Sequence, residues 1–170
     1  MPISMYQASV PLLRHQLKNL IGILEKAATY AEEKSIDQTV LTSSRLYPDM
    51  FPLTKQVQIA SDMARRGVAR LASVEPPPLE DTEITFPELI DRLQKSIDYL
   101  ETFSADQIDG TEEKEIIVPT GKDQNITMKG WPFLAFIVMP NAHFHVTTAY
   151  DILRHNGVEI GKRDYLGSPD

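Results

Sequence analysis

Tyr6-Gln7-Ala8-Ser9-Val10-Pro11-Leu12-Leu13-Arg14-His15-Gln16-Leu17-Lys18-Asn19-Leu20-Ile21-Gly22-Ile23-Leu24-Glu25-Lys26-Ala27 is the stretch that decides the architecture. Its apolar residues Tyr6, Val10, Leu13, Leu17, Leu20, Leu24 and Ala27 alternate gaps of four and three positions, so they fall on one stripe of a long helix. The spacing predicts a helix over about 4–34, with a break or kink near Pro11, whose ring and missing N–H oppose helical continuation. The polar segment Ser35–Pro48 reads as a long connection. A second stripe, Leu53, Val57, Ala60, Ala64, Val68 and Leu71, predicts a helix over about 49–72, which Glu75-Pro76-Pro77-Pro78 terminates.

The third helix, about 86–104, announces its own start. Thr85 stands at an N-cap, Pro87 suits the first turn, and Glu88 is in capping-box position. Phe86, Leu89, Leu93, Ile97 and Leu100 form its apolar face. The runs Glu115–Pro119 and Asn125–Met128, separated by Thr120-Gly121-Lys122-Asp123, predict a small β-hairpin. A last helix, about 131–156, is expected to be interrupted or bent at Pro140 and capped by Gly157, with the remaining tail wrapping over the surface. Four long amphipathic helices, long connections and one hairpin before the last helix make an all-α four-helix bundle, a single domain over residues 1–170.

Composition narrows the chemistry. The chain of 170 residues has no cysteine, which excludes disulfides, thiol nucleophiles, thiolate zinc sites and iron–sulfur clusters. A formal charge of −7 disfavours nucleic acid and anionic membranes as partners, since phosphate binding depends on Lys and Arg. No apolar run is long enough to span a bilayer and the N-terminus lacks signal-peptide features, so a soluble, cytoplasmic protein is expected. No glycine-rich phosphate loop is present.

Three of the four histidines, His143, His145 and His155, crowd into the last helix. His143 and His145 are two apart and point to roughly opposite sides of a helix, so they ligate one ion together only if the backbone is irregular. His155 suits the helix C-terminus electrostatically, and His15 reads as a surface or satisfied side chain. His145 shares a face with Asn141 and is flanked by apolar residues, which makes an inward imidazole the candidate general acid or base; a core histidine bonded to a neighbouring helix is the equally weighted alternative. Trp131, Phe133 and Phe136 suit a core or a homodimer interface.

The run Phe144-His145-Val146-Thr147-Thr148-Ala149-Tyr150-Asp151-Ile152-Leu153-Arg154-His155-Asn156-Gly157-Val158, with Gly161-Lys162-Arg163-Asp164-Tyr165-Leu166-Gly167 after it, resembles a branch of the DinB/YfiT-like metalloenzyme superfamily known only as a domain of unknown function. Met5–Val10 and Pro48–Leu53 through Gln58-Ile59-Ala60 resemble the same branch, so the likeness spans nearly the whole chain. In that superfamily nickel or zinc is held by three histidines, one on the second helix and an i, i+4 pair on the last, and some members are thiol-dependent transferases or isomerases. Carried onto this chain, the resemblance implies His145, Asn141 and a position near Gln58. One of the three imidazoles remains, with His143 as a substitute ligand if Pro140 distorts the helix; amide oxygens make a poorer site for a transition ion. The leading expectation is a degenerate metal site reused as a small-molecule pocket around Gln58, Asn141, His145 and Tyr150. A divalent-metal enzyme and a non-catalytic dimeric interaction protein are the alternatives.

Overall fold

Pro11 starts a helix here. The computed structural model describes residues 3–120 and 124–168, and in it α1 spans Val10–Glu33 with Pro11 in its first turn. A proline there removes only an N–H that lacks an intrahelical partner anyway, so no kink follows, and Met5–Ser9 form turns before the helix. The connection after α1 is not wholly irregular: α2 (Gln38–Thr42) forms within it, because the Asp37 carboxylate accepts from Thr39 N at 2.9 Å and caps its first turn. Next come α3 (Leu53–Ala72) and α4 (Phe86–Glu101), the latter with the Thr85/Glu88 capping box in place. A one-turn helix, α5 (Ala105–Ile108), leads to an antiparallel hairpin of β1 (Glu115–Pro119) and β2 (Asn125–Lys129), with Val118 paired to Ile126. The predicted turn residues Gly121, Lys122 and Asp123 lie outside the described residues.

The last long helix is wound continuously rather than interrupted. α6 (Gly130–Phe133) runs into a π-helical turn, Leu134–Val138, and then into α7 (Met139–His155). Pro140 explains the wider turn, since it has no N–H for the Phe136 carbonyl and its ring crowds that group; Met139 N instead reaches back to Leu134 O. Gly157, at φ +91, closes the helix in a Schellman motif: Val158 N bonds Leu153 O and Gly157 N bonds Arg154 O, both at 3.1 Å. The tail forms one more helix, α8 (Lys162–Leu166), fastened to α1 by Lys26–Asp164 at 2.5 Å and by Asn19 Nδ2 donating to Tyr165 O at 3.0 Å.

Around the bundle, α1 packs on α4 and α7, and α3 packs on the same two helices from the other side. The predicted stripes Leu13, Leu17, Leu20 and Leu24 of α1, Val57, Ala60, Ala64 and Val68 of α3, and Leu89, Leu93 and Leu100 of α4 are fully buried in the shared core. No helix among the described residues is long and apolar enough to cross a membrane.

The interface between α3 and α4 is not apolar throughout. Arg65 and Arg92 are 2% and 1% exposed. Arg92 meets Ser61 Oγ, Glu80 O, Glu83 Oε1, Asp62 Oδ1 and Asp81 Oδ1, one partner for each of its five N–H groups. Arg65 donates to Pro77 O at 2.8 Å and to Asp62 Oδ1 at 3.3 Å. Four of these partners, Pro77, Glu80, Asp81 and Glu83, belong to the loop between the helices, so the proline-rich segment is drawn over the charges as a cover.

Removing one partner from such a network strands the others in low dielectric. The substitution Arg92→Met is expected to cost about 3–5 kcal/mol of unfolding free energy. Arg66→Ala, which breaks only the half-exposed pair with Asp62, should cost under about 1 kcal/mol. Urea denaturation of the two variants measures the difference.

Candidate functional site

α3 lies between α4 and α7, so its residues divide between two neighbours by helical phase. Gln56 and Gln58 are two positions apart and project about 200° apart around the axis. Gln58 faces the charge network, donating from Nε2 to Glu83 Oε2 at 2.9 Å. It does not meet His145; Gln56 does. The His145 ring, half-buried on α7, lies with Nδ1 2.7 Å from Gln56 Oε1.

That contact fixes the imidazole. Gln56 Nε2 donates to Phe51 O at 3.0 Å, which leaves Oε1 as the atom turned to the ring. A carbonyl oxygen only accepts, so Nδ1 carries the proton and Nε2 carries a lone pair with no protein partner among the described residues. Burial pushes the His145 pKa below its ordinary value and favours the neutral ring. The exposed Phe144 ring stands edge-on to the imidazole, centroids 5.2 Å apart.

The other predicted residues scatter. Asn141 is on the same face as His145, one turn earlier, but its Nδ2 donates to Ile137 O at 2.6 Å. His143 is exposed and takes no part in the His145 contact. Tyr150 packs edge-on to Tyr165 of α8 at 6.3 Å, toward α1 and away from Gln58. Asp62, one turn along α3 from Gln58, is committed to Arg65, Arg66 and Arg92. His15 joins its Nε2 to Leu166 O at 2.7 Å and so helps hold α8. The pocket expected around Gln58, Asn141, His145 and Tyr150 therefore does not assemble as a set, and Gln56 enters in place of Gln58. Gln56 was legible only as a residue flanking the apolar stripe, three positions after Leu53 and four before Ala60.

A three-imidazole metal centre does not fit these positions. An Nδ1–H held by a carbonyl with Nε2 free is also how metal-bound histidines are oriented. A single such nitrogen is an insufficient donor set, and the i, i+4 partner is an amide whose Nδ2 is spent on its own helix. Among the described residues no group of three His, Cys, Asp or Glu side chains converges to hold one ion.

The α3–α7 seam continues beyond this pair into a cavity of about 330 Å³. Met63, Phe133, Ile137 and Val138 form apolar walls, Val118 and Pro119 of β1 cover one side, and Asn141, Arg66 and Arg70 supply the polar groups. Its floor is set by Gly67: a Cβ there would lie 2.6 Å from Val138 Cγ1, so only glycine lets the π-turn come this close to α3.

Comparison with known proteins agrees with this architecture. Over residues 5–166 the chain matches the family described as Domain of unknown function (DUF1993). It is similar to the crystal structure of a DinB family member protein from Shewanella denitrificans, at 43% sequence identity and a TM-score of 0.89, with 96% of this chain and 92% of that one covered. No match was found among curated proteins.

Nitrogen-15 NMR of histidine-labelled protein should find His145 as the Nδ1–H tautomer, titrating below about pH 6.5. Because its folded pKa is the lower one, the neutral ring's contribution to stability is complete above the unfolded value and is lost as pH falls through the folded value. Gln56→Ala should release the ring to the Nε2–H tautomer. An Nε2–H ring in the unsubstituted protein would show the contact to be misassigned.

Proposed function

The chain belongs to the DUF1993 family, a branch of the DinB-like four-helix bundles, and from that premise we propose that it is a small-molecule-binding protein whose seam between α3 and α7 works without a resident metal ion. The observation that supports this reading is the His145–Gln56 contact. It presents one neutral imidazole with a free lone pair at Nε2, beside the exposed Phe144 ring, where the superfamily's pattern implies three converging imidazoles. Such a nitrogen accepts a hydrogen bond from a ligand hydroxyl, and in a reaction it would take that proton while Gln56 keeps the ring in register. A thiol-dependent transferase or isomerase built on a divalent ion would need ligands that this donor set does not supply.

Titration of untagged protein with Ni²⁺ and with Zn²⁺ tests the metal-independent part. The expected result is no stoichiometric uptake; one ion bound per chain, lost in His145→Ala, would overturn the reading. Phenol, a compact hydrogen-bond donor with an aromatic face, tests the binding part. It should shift the His145 Nε2 resonance, and an unchanged resonance at saturating phenol counts against the site.

A second reading has an observation of its own: Phe136 on the π-turn is 70% exposed and Trp131 nearby is 50% exposed. A second copy of this chain would cover these rings, forming a homodimer. Sedimentation velocity at micromolar concentration should then give a dimer that Phe136→Ser weakens, whereas a monomer at every concentration removes the reading.

A further inference from the structure

The cavity on the α3–α7 seam has its charge at one end only. Arg66 and Arg70, one helical turn apart on α3, stand at its rim, and its walls are apolar apart from them and Asn141. Arg66 is paired with Asp62 at 3.3 Å. Arg70 is different: its guanidinium makes no hydrogen bond or ion pair among the described residues, although it is partly buried. Burial disfavours its charged form, the neighbouring Arg66 adds to that effect, and Glu75, close enough to favour the charge, does not reach it as an ion pair. Arg92, the most deeply buried guanidinium, has five partners and Arg65 has two, whereas the Arg70 guanidinium has none among the described residues. A partly buried guanidinium beside an apolar cavity, with its fork unused, is matched by a carboxylate that brings its own apolar body.

We propose that this cavity binds a small amphipathic carboxylate, with the carboxylate on Arg70 and Arg66 and the apolar part between Met63, Phe133, Ile137 and Val138. The volume of about 330 Å³ is at the lower end of small-molecule pockets, which favours a medium-chain or single-ring acid over a long-chain lipid. Asn141 borders the cavity one turn before His145 on the same face of α7, so the distal end of the acid is directed along the seam toward the imidazole. The inference deepens the proposed function and rests on the seam being a ligand site.

Octanoate, 1-octanol and octylammonium are the probes, each titrated calorimetrically into the full chain. Octanoate should bind about tenfold or more tightly than octanol, and octylammonium should not bind measurably. Arg70→Gln should lower octanoate affinity by about tenfold and leave octanol unchanged, and Arg70→Lys should fall between because a lysine lacks the bidentate fork. Arg70 lies outside the charge network with Arg92, so an unchanged thermal melt is expected and confirms folding in each variant. Equal binding of octanoate and octanol, insensitive to Arg70→Gln, overturns the carboxylate assignment while the seam stands as an apolar ligand site. No binding of any probe overturns both. Octanoate binding that responds to Arg70→Gln but not to His145→Gln upholds the carboxylate site and removes His145 from it.

Discussion

Arg92 governs the arrangement of this bundle because a guanidinium that is 1% exposed is tolerable only with its donors satisfied. Its five partners come from α3 and from the loop Ser73–Thr85, so neither can take up another position without stranding charge. Two of the acceptors used by Arg92 and Arg65 are loop carbonyls, Glu80 O and Pro77 O, which fixes the loop backbone itself. The three prolines at 76–78 reduce the freedom that this segment must give up on folding. Ser61 and Ser96 close the arrangement from inside: their hydroxyls are 2.7 Å apart, and Ser96 Oγ donates a hydrogen bond to Arg92 O at 2.8 Å.

Fixing α3 against α4 also fixes which of its residues face α7. Gln58, Ser61, Asp62 and Arg65 turn toward the charge network, and Gln56, Met63, Gly67 and Arg70 are left along the other seam. The π-turn performs the matching adjustment on α7. By widening one turn ahead of Pro140 it lets the helix continue, and Val138 settles into the gap left by Gly67. Two local irregularities, a missing side chain and a missing N–H, thereby set the distance between the helices that carry the candidate site.

The apolar stripes were legible because burial imposes a 3.6-residue period, and the Thr85 capping box and the Gly157 cap were legible because each rests on a specific backbone demand. The second stripe on α3, Gln58, Ser61, Asp62 and Arg65, has the same helical spacing but is built from polar residues, and a polar stripe reads as a solvated face unless its partner is known. That partner, Arg92 with Ser96 one turn on, sits across a 13-residue loop on another helix, and nothing local in the sequence joins the two. The same gap explains Gln58 standing in for Gln56. Periodicity fixes relative phase along a helix, but the absolute rotation of α3 depends on the buried charges. Pro140 likewise announces a disturbance without saying whether the helix bends, breaks or widens.

A carboxylate ligand for a protein of net charge −7 raises the question of approach. At physiological ionic strength a charge is felt over roughly 8 Å, so the acidic residues on the far faces of the bundle are largely screened from the cavity mouth. The field there is set by Arg66 and Arg70 themselves, partly offset by Asp62 and Glu75. Inside the apolar walls the guanidinium interaction is screened less than it would be in water, so the same burial that leaves Arg70 short of solvent strengthens its grip on an anion. Arg66 and Arg70 also repel one another at one-turn spacing, and a bound carboxylate relieves both the missing partner and the repulsion. The fold tolerates an unpaired cation at the cavity rim because α3 is held in place from its opposite side, where Arg92 has a partner for each of its five donors.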